Sequence, residues 1–141
     1  MEPQQTAAAA AADGDADTMQ GKVLYIEDQS VHQDLVEAML AQAPRIRLIK
    51  AETGREGIRI AQAEMPDVIL LDLHLPDISG LEVVRSLSEL IAKKRFRVVL
   101  LTADSFSIDV VKAMSLGAQE YWVKPVSPER LLTGLARVLK R

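Results

Sequence analysis

Val68-Ile69-Leu70-Leu71-Asp72, followed by Leu73-His74-Leu75-Pro76-Asp77-Ile78-Ser79-Gly80, is the stretch that decides how this chain folds. Four large apolar residues in succession end on a carboxylate and run into a loop marked by Pro and Gly. A strand with one face in water alternates apolar and polar side chains, so an unbroken run reads as a strand covered on both faces. Lys22–Ile26 and Val98–Leu101 have nearly the same character, and Arg47–Ala51 and Glu120–Val123 complete a set of five. Segments of helical period separate them, and alternating β and α segments with apolar strands predict an α/β fold built on a parallel sheet.

The helices have identifiable starts. Thr53-Gly54-Arg55-Glu56 and Ser79-Gly80-Leu81-Glu82 both fit the capping box, and Ser127-Pro128 sets an N-cap residue before a first-turn proline. Leu35, Met39 and Leu40 are the expected apolar stripe of the first helix. Val83, Val84, Leu87, Leu90 and Ile91 form that of the third, and Leu131, Leu132, Leu135, Val138 and Leu139 that of the last.

Outside this pattern lie residues 1–21, rich in Ala, Gln, Asp and Gly, with Met1 and Met19 their only large apolar side chains. They are expected to be a disordered tail or linker, leaving residues 22–141 as one folded domain. The tail carries a charge of −4 and the remainder +1. A near-neutral body lacks the basic field of a dedicated nucleic-acid binder, so direct nucleic-acid binding is not expected. The 141 residues include no Cys, which excludes a disulfide framework, a thiolate metal site and a Cys nucleophile. Apart from the Ala run, apolar runs stop at four residues, so no membrane span is expected. With no secretory signal pattern visible, the expected location is cytoplasmic.

Ligands of an open parallel sheet bind beyond the carboxyl ends of its strands. There strand one ends in Glu27-Asp28, strand three in Asp72, strand four in Thr102 and strand five in Lys124-Pro125. Three carboxylates and one ammonium leave a charge of −2, and like charges about 4 Å apart repel by about 4 kcal/mol at an effective dielectric near 20. A divalent cation relieves this, and all-oxygen ligation favours Mg²⁺ or Mn²⁺ over Zn²⁺. The Thr102 hydroxyl and Lys124 ammonium suit two oxygens of a phosphoryl group, leaving Asp72 as the nucleophile.

Glu27-Asp28, the run Asp72 to Gly80, Thr102-Ala103-Asp104 and Tyr121-Trp122-Val123-Lys124-Pro125, in this order and each after its own strand, resemble bacterial response-regulator receiver domains from Lys22 to about Lys140. The resemblance implies a flavodoxin-like doubly wound fold with five parallel strands in the order 2-1-3-4-5 and helices on both faces. It also implies that Asp72 accepts a phosphoryl group from a sensor histidine kinase, a histidine phosphotransfer protein or a small phosphodonor. The domain would catalyse its own aspartyl phosphorylation and dephosphorylation, with no separate substrate turnover.

By the same resemblance, Asp28 and Asp72 are direct Mg²⁺ ligands, Glu27 assists through water, and the backbone carbonyl of His74 adds a further ligand. Thr102 is the switch hydroxyl, Tyr121 the aromatic that moves with it, and Lys124 the phosphate-pairing lysine. Pro125 follows a cis peptide bond in this family. His74 and Asp104, two positions beyond the acceptor and the switch residue, are candidates for tuning rates, and Asp104 is alternatively an N-cap of the fourth helix. The fourth helix, fifth strand and fifth helix form the expected switching surface for a partner or a second copy. Strand alternation points Trp122 away from the Tyr121 face, toward a helix.

Two other readings compete. A receiver-shaped scaffold would bind partners irrespective of phosphate, but the full set of acceptor-site residues argues against it. A dehalogenase-type phosphatase would need a second Asp two residues beyond Asp72, where His74 stands.

Overall fold

A computed structural model describes residues 16–103 and 107–140. In chain order the elements are β1 (Gly21–Ile26), α1 (Ser30–Met39) with a 3-10 turn at Leu40–Gln42, β2 (Ile46–Ala51), α2 (Gly54–Glu64) and β3 (Val68–Asp72). There follow α3 (Gly80–Ser86), α4 (Ser88–Ala92), β4 (Arg97–Thr102), α5 (Ile108–Ser115), β5 (Glu120–Val123) and α6 (Pro128–Leu139). All strand pairs are parallel, in the order β2-β1-β3-β4-β5. The expected fold class and strand order are therefore those observed, and among the described residues no helix is long and apolar enough to cross a membrane.

Strand alternation divides the interior into two layers. Leu24, Ile26, Ile69, Leu71, Val98 and Leu100 face α2, α3, α4 and α5. Val23, Tyr25, Leu70, Val99, Leu101 and Trp122 face α1 and α6. Because β3 lies at the centre with helices on both sides, every one of its residues is buried, as its unbroken apolar run requires. The edge strands β2 and β5 are only partly buried, which accounts for their mixed composition.

Four local features differ from the sequence expectations. Leu35 is 53% exposed, whereas Gln33 and Val36 are buried. Gln33 occupies the inward position because its amide donates to the carbonyls of Glu27 (2.7 Å) and Ala51 (3.1 Å), which rotates the helix relative to an all-apolar stripe. The single third helix is interrupted at Leu87, whose amide is shared between the carbonyls of Val83 and Val84, so the expected fourth and fifth helices are α5 and α6. The N-cap of α5 is Ser107, accepting from the Val110 amide, not Asp104, which lies outside the described residues. Finally, the folded body starts before residue 22. Ala16 and Met19 are buried against the α1 and α6 layer and Gly21 opens β1, packing that the sparse apolar content of residues 1–21 does not reveal. Residues 1–15 of that tail lie outside the described residues.

Thr53, Ser79 and Ser127 all cap as expected, but the reciprocal half of the box is formed at neither Thr53 nor Ser79: Glu56 accepts from the Glu52 amide (2.8 Å), one residue before the cap, and Glu82 pairs with Arg85. A further cap comes from a distance: Asp77 accepts from the amides of Gly54 (2.8 Å) and Arg55 (3.0 Å), tying the loop after β3 to the start of α2. Although partial burial pushes its carboxyl up, these backbone hydrogen bonds prevail and hold its pKa below the ordinary value. A depressed folded-state pKa stabilises above the unfolded pKa, and the effect is lost as pH falls through the folded value. Asp77→Asn should therefore lower Tm by a few degrees above about pH 5, with the gap to wild type closing as the pH drops below the ordinary carboxylate range. Melting curves across acid pH check this.

Trp122 is buried toward α6, opposite to Tyr121, and its indole N–H donates to Glu120 Oε1 at 2.7 Å. Gly134 of α6 lies against the ring so closely that a Cβ there would be 2.3 Å from Trp122 Cζ2. The rigid indole cannot yield as a flexible chain would. Gly134→Val is expected to cost about 1–3 kcal/mol by overpacking, read from denaturant unfolding followed by the single Trp.

Candidate functional site

The parallel register brings the carboxyl ends of the strands together. Ile26 pairs with both Ala51 and Leu71, Asp72 with Leu101, and Thr102 with Val123. The ladder continues past the strands, through the Glu27 amide to the Ala51 carbonyl (2.9 Å) and the Lys124 amide to the Thr102 carbonyl (2.8 Å). Residues separated by most of the chain therefore face one crevice. The Lys124–Pro125 peptide is cis.

One oxygen from each of Glu27, Asp28 and Asp72 lies within 4.8 Å of the others. Glu27 and Asp72 are buried and Asp28 is exposed, so the cluster is walled on the protein side and open on the other. Lys124 Nζ reaches Glu27 Oε1 at 2.8 Å and Asp72 Oδ2 at 3.3 Å. Glu27 Oε2 accepts from the Gln29 amide (3.2 Å), and Asp72 Oδ1 from the His74 amide (3.1 Å).

These contacts set the two buried carboxylates apart. Burial pushes the Glu27 carboxyl up, but the hydrogen bonds from Lys124 and the Gln29 amide outweigh it and hold its pKa down at about 2. At Asp72 burial prevails over the His74 amide and Lys124, so its pKa is raised.

Of the residues singled out in the sequence, Glu27, Asp28, Asp72 and Lys124 come together in this crevice. Thr102 is buried at the tip of the adjacent strand. Tyr121 is half-buried against the layer containing α3 and α5, and His74 is exposed at the start of the loop after β3. Asp104 falls outside the described residues. Three residues went unnoticed in the sequence. Tyr25 donates its hydroxyl to Glu27 Oε1 (3.0 Å), His32 Nδ1 stands 3.2 Å from the same oxygen, and Gln33 holds the Glu27 carbonyl. The signal for Tyr25 was its spacing, since residues two apart in a strand share a face. That for His32 was its place in the first turn of the helix following Glu27-Asp28.

The donor set is all oxygen and carries net charge −2 with Lys124 included, and these hard anionic ligands fit a Mg²⁺-type cation. Beside Lys124 opens a largely apolar groove of about 400 Å³ between α1 and the β5–α6 connection, lined in part by His32, Leu35, Met39, Pro125 and Val126.

Comparison with known proteins agrees with this geometry. Residues 23–136 match the family model described as the response regulator receiver domain. The chain is 32% identical over 123 residues to the alkaline phosphatase synthesis transcriptional regulatory protein PhoP of Bacillus subtilis, covering 87% of this chain and 50% of PhoP. It is 35% identical over 114 residues to the nitrate/nitrite response regulator protein NarL of Escherichia coli, covering 80% and 52%. It thus spans about half the length of these regulators. The chemotaxis response regulator CheY4 of Vibrio cholerae superposes with a TM-score of 0.76 at 30% identity, over 85% of this chain and 99% of that one. With the fold, the strand-end cluster and these matches in agreement, the chain belongs to the response-regulator receiver domains of two-component signalling.

Proposed function

We propose that the chain is a phosphoacceptor, taking a phosphoryl group onto Asp72 in a Mg²⁺-dependent reaction and signalling through the α5, β5 and α6 surface. The observation that carries this reading is the position of the Asp72 carboxylate. It stands at the tip of the central strand, within 4.8 Å of two further carboxylates and 3.3 Å from an ammonium. An Asp72 oxygen attacks the phosphorus of a phosphohistidine on a sensor kinase or phosphotransfer protein. The P–N bond breaks, its electron pair stays on the imidazole nitrogen, and the product is an acyl phosphate. Bound Mg²⁺ supplies positive charge against the phosphoryl oxygens. Asp28, Asp72 and the His74 carbonyl would hold it directly, with Glu27 acting through water. Lys124 balances a phosphoryl oxygen, and the groove between α1 and the β5–α6 connection leaves room for a donor.

Charge then becomes a packing change. Thr102 is drawn toward the phosphoryl group, and the space it leaves accepts Tyr121. Ile108, Val111 and Val123, 71%, 63% and 40% exposed, give that side an apolar surface suited to a partner or a second copy. Exposed His74 is placed to adjust access to the phosphoryl group. No direct contact with nucleic acid or membrane is proposed, and the chemistry suits a cytoplasmic partner kinase.

Asp72→Asn retains the side-chain shape but removes the nucleophile, so labelling by a phosphohistidine donor or acetyl phosphate should fall to background with the fold intact by circular dichroism. Labelling at wild-type stoichiometry would refute the assignment. Mg²⁺ should raise Tm because only the folded state gathers the carboxylates, and Asp28→Ala should remove most of that rise. An undiminished shift in a thermal scan would place the metal elsewhere.

A further inference from the structure

Three side chains converge on one oxygen of Glu27. Oε1 accepts from Lys124 Nζ at 2.8 Å and from the Tyr25 hydroxyl at 3.0 Å, and His32 Nδ1 stands 3.2 Å away. The Glu27 side chain has no solvent exposure, and a buried carboxylate stripped of partners is costly. The three neighbours differ in freedom. Lys124, on the connection after β5, is one-fifth exposed and has Asp72 Oδ2 as a second partner at 3.3 Å. His32 sits on α1 with its side chain 39% exposed, where water competes for it. Tyr25 is buried within β1, paired in register with Lys50 on one side and Leu70 on the other, so its ring stays where the sheet puts it.

A phosphoryl group on Asp72 needs the Lys124 ammonium, yet Lys124 rests closer to Glu27 than to Asp72. A lysine that turns to the phosphoryl group leaves the Glu27 charge to its other partners. We propose that Tyr25 is a positioning residue for the phosphoryl-bearing state, its hydroxyl retaining Glu27 Oε1 when Lys124 is released. This rests on the phosphoacceptor reading and adds a residue two positions before the metal cluster that sets how readily Lys124 is freed. In the resting protein the Tyr25 hydroxyl duplicates what Lys124 already does. Once Lys124 has moved, it does not.

The experiment has two arms on the full chain. Without metal or phosphate, the Tm of wild type, Tyr25→Phe, Lys124→Met and the double variant are compared. Tyr25→Phe is expected to lower Tm only slightly alone and several times more on the Lys124→Met background. Equal losses on both backgrounds would overturn the proposal. The second arm decides should the double variant fail to fold. Wild type and Tyr25→Phe are titrated with beryllofluoride at saturating Mg²⁺ and followed by fluorine NMR. The half-saturation concentration should rise about tenfold in Tyr25→Phe, as expected for losing a hydrogen bond to a buried charge. An unchanged value beside normal wild-type uptake overturns this inference alone. A wild type that takes up no beryllofluoride overturns the phosphoacceptor reading and the inference with it.

Discussion

The 2.8 Å contact between Lys124 and Glu27 joins two residues 97 positions apart, and the arrangement of the site depends on it. Three carboxylates sit at one end of the sheet, two of them buried, with a single ammonium against them. A buried ion pair of this kind adds little net stability, because removing two charges from water costs about as much as their attraction returns. Its importance is in specificity. Lys124 leaves the cluster short of positive charge, so the crevice is suited to a divalent cation, and in two steps of charge balance to a phosphoryl group beside it.

The remainder of the fold makes that concentration of charge tolerable. Backbone amides of Gln29 and His74 each satisfy one carboxylate oxygen, and the Gln33 side chain closes the Glu27 carbonyl. No buried side-chain polar atom among the described residues lacks a partner. The cost to the core is small but visible, since Gln33 occupies an inward position of α1 and leaves Leu35 in solvent. That exposed leucine in turn helps line the groove beside Lys124, so satisfying one buried carbonyl shapes that surface.

Much was legible because local chemistry and global position coincide here. The unbroken apolar run of β3 requires cover on both faces, and only a central strand of a doubly wound sheet obtains it. Acidic residues directly after apolar strands locate the site, since all strands of a parallel sheet present the same end. Capping at Thr53, Ser79 and Ser127 follows from side chains acting within three residues, a range the sequence displays directly.

The element order, the covered sheet and the residue types at its carboxyl edge are written in the sequence, since all follow from periodicity and short-range bonding. Which donor meets which oxygen depends on how the elements pack. Tyr25 and His32 reach Glu27 because β1 and the first turn of α1 place them there, and Lys124 favours Glu27 over Asp72 by 0.5 Å. Asp77 caps a helix that begins 23 residues before it. Ala16 and Met19 join the core because chain entering β1 passes the end of α6, a neighbour hydrophobic pattern does not reveal. Differences of a few tenths of an ångström in contacts between groups distant in sequence arise from packing, and composition and period carry no record of them.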